Sequence, residues 1–271
     1  MRITILQTDI VWEDKQANLR HLRPKLEQLR GKTELVILPE TFSTGFSMDS
    51  HRLAEPDDGE VITTLRRWAR ELHIAMAGSF IACDRNQPDC PCYNRAFFLT
   101  PEGEAYFSNK RHLFRMGLES DHFVQGDTRP IIRYRGWNIL LLVCYDLRFP
   151  VWSRNVNLEY DLLLYVANWP ASRRRVWDVL LRARALENMS YVCGVNRVGA
   201  DGNGLLHDGG SVIISPKNEL LASVPDGTAG SATADLNIEA LLRFREKFPV
   251  WEDADKFVLE KYHLDTCNSP N

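Results

Sequence analysis

Four polar side chains in this sequence stand just past an apolar run. Glu40 follows LVILP, Lys110 follows AYFSN, Cys144 follows LLLV and Asn168 follows LLLYVA. Functional groups of α/β proteins gather at the carboxyl ends of strands, where a rigid backbone holds a side chain that still reaches a cleft. Any one Glu or Lys in such a place is ordinarily a solvated loop residue, and a cysteine there is ordinarily a small core residue. Together they form a coherent chemical set. A thiol with its reference pKa of about 8.5 is mostly protonated at neutral pH. It becomes a nucleophile when a base takes its proton or a cation holds the thiolate. Glu40 can be that base and Lys110 that cation. Lys110 can also hold the oxyanion formed when sulfur attacks a carbonyl, aided by the backbone N–H of Tyr145.

Other candidates are weaker. Of the seven histidines only His112, in NKRHLF, is near these residues, and it reads as a surface or structural side chain. No G-x-S-x-G elbow supports a serine hydrolase. GADGNG, from Gly199 to Gly204, has no helix after it and reads as a turn-rich loop, not a dinucleotide site. Arg173-Arg174-Arg175 reads as a solvated helix start, from which one guanidinium could face a cleft and bind a carboxylate. Cys83, Cys90 and Cys92 lack C-x-x-C spacing and a neighbouring His in the sequence, so they are expected to be loop thiols, with no metal.

The elements that must position these residues follow from periodicity. RITILQTDI, LVILPE and IAMAGSFIA read as strands, separated by helices carrying Leu19, Leu22, Leu26 and Leu29, and Val61 to Leu72. YNRAFFLT and AYFSNK form a hairpin across Pro101-Glu102-Gly103-Glu104. Then come a strand from Trp137 to Tyr145, a short helix from Val151 to Asn157, a strand from Asp161 to Asn168, a helix from Val176 to Asn188 and a strand from Val192 to Asn196. Gly210 to Ser215 and Glu219 to Val224 make a last hairpin, followed by a helix from Ile238 to Phe244. Crossover helices mixed with hairpins predict an α/β fold of two packed mixed sheets with helices outside. No linker or repeat divides residues 1–271, so a single domain is expected, with 249–271 as an extended C-terminal tail.

The 271 residues carry 33 basic and 36 acidic side chains, a net charge of −3. That balance offers no electrostatic case for nucleic acid or an anionic membrane as partner. The N-terminus has no signal-peptide pattern and no apolar run is long enough to span a bilayer. Six dispersed cysteines read as reduced thiols, and the expected location is the cytoplasm.

Three blocks, LPETFSTGF around Glu40, NKRHLF around Lys110 and VCYDLRFP around Cys144, occur in an order and context that resembles the carbon–nitrogen hydrolase (nitrilase) superfamily. RALENMSYV and NRVGADGNG resemble its later blocks, and the likeness runs to about Trp251. YVANWPASR resembles the bacterial omega-amidase branch, which hydrolyses the side-chain amide of 2-oxo acids such as 2-oxoglutaramate. The resemblance implies a four-layer α-β-β-α sandwich, a homodimer or larger homo-oligomer, and no cofactor. It implies a second catalytic glutamate, placed at Glu119 because ESDHFVQGD resembles the stretch that carries it. In this reading Glu40, Lys110, Cys144 and Glu119 are catalytic, Arg173 pairs with a substrate carboxylate and Trp169 forms a pocket wall. Val151 stands where many relatives have Glu, with no expected effect on the chemistry. Other readings are hydrolysis of N-carbamoyl amino acids or other linear amides, acyl transfer to an amine, and an inactive scaffold. The presence of Glu40, Lys110 and Cys144 together favours an enzyme.

Overall fold

The computed structural model of the chain describes residues 1–259. Two six-stranded sheets form its centre. The first contains β1 (Arg2–Gln7), β2 (Leu35–Ile37), β3 (Ala75–Cys83), β4 (Cys92–Leu99), β5 (Ala105–Asn109) and β14 (Gly230–Asp235), in the order β14-β1-β2-β3-β4-β5. The second contains β6 (Ile131–Tyr134), β7 (Trp137–Val143), β8 (Leu162–Ala167), β9 (Tyr191–Asn196), β12 (Val212–Ile214) and β13 (Leu220–Ser223), in the order β13-β12-β9-β8-β7-β6. A separate ribbon pairs β10 (Val198–Ala200) with β11 (Leu206–Asp208). The helices are α1 (Lys15–Leu29), α2 (Ser50–Leu53), α3 (Glu60–Leu72), α4 (Glu119–His122), α5 (Pro150–Ser153), α6 (Arg174–Glu187) and α7 (Ile238–Lys247).

Strand periodicity builds the layers. Ile139, Leu141 and Val143 of β7 point into a core shared with Ile3, Ile5 and Ile37 of the first sheet. Leu140 and Leu142, one residue out of phase, point the other way, toward Trp177 and Leu181 of α6. On the far side, α1 and α3 cover the outer face of the first sheet through Leu22, Leu26, Ile62 and Leu65. The result is the expected α-β-β-α sandwich. β8, LLLYVA, is buried along its whole length because it lies between parallel neighbours and under a helix, which is why it shows no polar alternation. Gly194 of β9 lets α6 come close: a Cβ there would lie 2.4 Å from Leu181 Cδ1 and 2.8 Å from Trp177 Cζ2.

β2 and β3 are parallel, and β4 and β5 each reverse direction, so β5 again runs with β2. β7 and β8 are parallel in the second sheet. This topology brings the chain just past β2, β5, β7 and β8 to one edge of the sandwich.

Some expectations are corrected. The strand expected through Tyr145 ends at Val143, and Cys144–Arg148 is a 3-10 turn. The helix expected from Val151 to Asn157 is only Pro150–Ser153, followed by a separate 3-10 turn. β6 and β14 were absent from the sequence reading: β6 is four residues long, and β14 (GSATAD) has small side chains without apolar alternation. Of the 249–271 stretch expected to be extended, Val250–Asp253 is a 3-10 turn, and 260–271 lies outside the described residues.

Candidate active site

Glu40 sits in a tight turn just beyond β2, where Thr41 takes a φ of +42°. The turn is held from both sheets. Ser79 Oγ accepts from Thr41 N at 2.8 Å, and Asn168 Nδ2 donates to Glu40 O at 2.6 Å. The carboxylate is wholly buried. Oε2 accepts from Asn168 N at 2.7 Å; Oε1 accepts from Asn94 Nδ2 at 2.7 Å and from Lys110 Nζ at 3.0 Å. Three donors thus fix its orientation.

Lys110 extends from the end of β5, its backbone tied to Asn94 O and Gly126 N. Its Nζ reaches Glu119 at 2.9 Å as well as Glu40, and lies 5.0 Å from the centre of the Phe46 ring. Glu119 opens α4 and is fully buried. Its Oε2 accepts from Phe114 N at 2.6 Å, and its Oε1 shares the Asn94 amide with Glu40 at 3.2 Å. Burial alone would push the Lys110 ammonium pKa down, but the charges of Glu119 and Glu40 outweigh it and raise the pKa above the usual lysine value. Glu119 is raised, chiefly by burial and then by Glu40 against the opposing pull of Lys110.

Cys144 follows β7 at a φ of +45°. That left-handed conformation is unfavourable for a residue with a Cβ and costs about 1–2 kcal/mol. Asp146 holds the turn in place. It accepts from Val143 N at 3.1 Å, from His112 N at 3.0 Å and contacts His112 Nδ1 at 2.7 Å. His112 stacks on Phe149, with ring centroids 3.7 Å apart. It braces the turn, the structural role read for it. Because Cys144 and Tyr145 begin a 3-10 turn, their N–H groups have no partner one turn back within it, and an oxyanion can use that of Tyr145. The Cys144 thiol is pushed well above its usual pKa by burial and then by the charge of Glu40, while Lys110 acts in the opposite sense. At rest the site holds a thiol, a carboxylate beside it and a lysinium behind them.

Glu40, Lys110, Cys144 and Asn168 line a cavity of about 150 Å³. That volume admits small molecules. Its walls include Arg148, Trp169 and Arg173, Asp201 and Asn203 of the β10–β11 connection, and His207 of β11. Trp169 is anchored by Asn196, which accepts its N–H at 2.7 Å, and its indole donates to Arg173 O at 2.9 Å. Arg173 lies over the Phe114 ring at 5.2 Å, and Arg148 over Trp169 at 5.3 Å. Among the described residues neither guanidinium has an ion-pair partner. Arg174, by contrast, is spent on Asp178, Asp208 and Asp226, and Arg175 is exposed.

The structure therefore brings all the sequence-derived site residues to one cavity or its immediate support. It also adds several that sequence reasoning missed. Asn94 is a buried amide beside the partly buried Arg95 in a mostly apolar strand, CYNRAFFL, and that mismatch was its only signal. Arg148 was visible inside VCYDLRFP but carried no assigned role. GADGNG, read as an ordinary turn-rich loop, forms part of the cavity wall through Asp201 and Asn203. Of the three thiols expected in a loop, Cys83 ends β3 and Cys92 begins β4, and Cys92 Sγ lies 3.8 Å from His51 Nδ1. Among the described residues, no group of three or more His, Cys, Asp or Glu side chains could hold a metal ion.

Paired sheets that present a carboxylate, a lysine and a strained cysteine at one edge agree with the family comparison: the carbon–nitrogen hydrolase model matches residues 2–246, and the chain belongs to that family. Among curated relatives it is 46% identical over 259 residues to omega-amidase YafV of Escherichia coli K12, covering 96% of this chain and 98% of the other. It is 27% identical over 257 residues to a 2-oxoglutaramate amidase of Bacillus subtilis, covering 94% and 97%. Among solved structures it is similar to XC1258 of Xanthomonas campestris, a CN-hydrolase superfamily protein with an arsenic adduct in its active site. The TM-score is 0.91, with 38% identity and coverage of 96% and 99%.

Proposed function

We propose that this protein is an omega-amidase: it hydrolyses the terminal amide of small 2-oxo acids such as 2-oxoglutaramate and 2-oxosuccinamate and releases ammonia. The observation that carries this reading is the juxtaposition in one small cavity of the Glu40–Lys110–Cys144 cluster with Arg173, a cation that has no carboxylate of its own among the described residues. A linear substrate with an amide at one end and a carboxylate at the other matches that polarity. The names of the two curated relatives support the same substrate class.

The reaction proceeds through a thioester. Cys144 Sγ attacks the amide carbon and its proton passes to Glu40. Transferring the proton to the adjacent carboxylate removes the negative charge that opposed thiolate formation, which is how a thiol of raised pKa can react at neutral pH. Lys110 and the Tyr145 N–H stabilise the oxyanion. The carbon–nitrogen bond then breaks as Glu40 returns the proton to nitrogen, and ammonia leaves. Water attacks the thioester, giving a proton to Glu40. Collapse of the second tetrahedral intermediate expels sulfur, which recovers that proton. The acid product ionises and ammonia takes up the released proton. Glu119 orients Lys110 directly and Glu40 through Asn94. Trp169 walls the substrate and Arg173 pairs with its carboxylate.

The chain needs no cofactor for this cycle. A homodimer or larger assembly and a cytoplasmic location belong to the same reading. The described cysteines, all unpaired as thiols, support a reducing compartment. No helix among the described residues is long and apolar enough to cross a membrane.

The test is ammonia release from a panel of 2-oxoglutaramate, 2-oxosuccinamate, N-carbamoyl amino acids and simple nitriles. The 2-oxo amides should be preferred. A clear preference for nitriles or carbamoyl compounds overturns the assignment.

A further inference from the structure

His207 lies in β11, opposite Gly199 of β10, and faces the catalytic cavity. It is 5% exposed, and its Nδ1 is buried without a hydrogen-bond partner. Buried polar atoms are normally satisfied, so an unsatisfied one on a side chain that lines a cavity marks a group that a ligand can complete. Burial, and then the charge of Arg197, hold its pKa below the ordinary histidine value against the opposing influence of Asp201. The ring is therefore neutral near pH 7, with one N–H to donate and one nitrogen to accept.

β11 packs against the Ala171–Arg173 turn, and Asp208, the next residue, pairs with Arg174 at 3.3 Å. His207 thus stands beside the turn that carries Arg173. In a 2-oxo acid the oxo carbon is bonded directly to the carboxylate carbon. A group adjacent to the carboxylate-binding arginine is placed to meet whatever substituent the 2-position carries. An oxo oxygen is an acceptor only. A 2-amino group is an ammonium, which Arg148 and Arg173 in the same cavity disfavour. Asp201, the acid on that wall, has Oδ1 committed to Asn203 N and Leu205 N at 2.9 Å each.

We infer that His207 is a specificity-determining residue: it donates a hydrogen bond to the 2-oxo oxygen of the substrate while Cys144 attacks the amide at the other end. The inference rests on the omega-amidase reading and deepens it. It predicts that the enzyme distinguishes 2-oxoglutaramate from glutaramate, the same chain without the oxo group, and that the distinction resides in His207.

The experiment measures kcat and KM for both substrates in the unsubstituted protein, His207→Phe and His207→Gln. The unsubstituted protein should favour 2-oxoglutaramate. His207→Phe should lose about tenfold in kcat/KM for the oxo substrate, mainly through KM, and keep glutaramate within about twofold. His207→Gln, which keeps a donor, should restore most of the preference. An unchanged ratio of the two substrates in His207→Phe overturns the inference, as does an equal loss on both, which marks a structural role. If His207→Phe does not fold, the competitive inhibition constants of 2-oxoglutarate and glutarate against His207→Gln and the unsubstituted protein decide. Equal inhibition by both diacids in the unsubstituted protein overturns it. Failure of the omega-amidase reading shows differently, as absence of 2-oxoglutaramate turnover in the unsubstituted protein.

Discussion

Replacing Lys110 by Met removes a cation buried between two carboxylates without leaving a large void. The lysine and its partners are each about 1% exposed or less at the side chain, so solvent cannot take over the lost interaction. Breaking a buried pair in this way costs about 3–5 kcal/mol, or roughly 10 °C in Tm for a chain of this size. The cost should depend on pH in a definite direction. Glu119 already has a raised pKa in the folded protein, from burial first, and Lys110 is what restrains the rise. A carboxyl raised on folding binds more protons folded than unfolded, so its contribution to stability falls as pH climbs above the unfolded carboxyl value. Without Lys110 the rise is larger and the fall continues to higher pH. The deficit of Lys110→Met against the unsubstituted protein should therefore be small near pH 5 and widen toward pH 8. Urea unfolding across that range, with ammonia release followed in parallel, measures both consequences. Adding Glu119→Gln removes one of the stranded charges. The double variant should recover much of the stability at pH 8 and none of the turnover. A deficit below about 1 kcal/mol at pH 8, the scale of an exposed ion pair, or one that does not vary with pH, refutes the charged buried cluster.

Cys144→Ser should abolish ammonia release while leaving the unfolding midpoint nearly unchanged; retained turnover rules out the thioester route. Glu40→Gln should stop turnover yet lower the Cys144 pKa, because the charge of Glu40 raises it. The thiolate ultraviolet signal, taken as a difference against Cys144→Ser, should appear at lower pH than in the unsubstituted protein, and a shift to higher pH contradicts the assigned electrostatics. Asn94→Ala removes the donor shared by both glutamates and should lower kcat by about tenfold to a hundredfold with little change in KM; a KM effect alone would place Asn94 in substrate binding. Arg173→Met should raise KM for 2-oxoglutaramate by about tenfold or more, as expected for a lost charge-assisted pair, while simple amides lacking a carboxylate lose nothing.

Much of the architecture was legible along the chain. The apolar runs that became β1, β3, β7 and β8 and the amphipathic stretches that became α1, α3 and α6 announce themselves because local periodicity reflects which face is buried. β14 escaped because its partner, β1, is at the other end of the chain, and pairing across that separation leaves no local trace. The identities of Glu40, Lys110 and Cys144 could be read from residue types and order alone; the end of the strand at Val143, before the thiol, could not. Their mutual geometry could not. Asn94 ties two glutamates from different loops, and Asn168 reaches from one sheet to hold a glutamate of the other. GADGNG becomes a cavity wall because the β10–β11 ribbon folds it toward Arg173. The sequence by itself determined which chemical groups are available and that they follow strands. Only the tertiary structure decided which groups meet, which charges are buried together and what faces the substrate, because those depend on contacts between segments far apart in the chain.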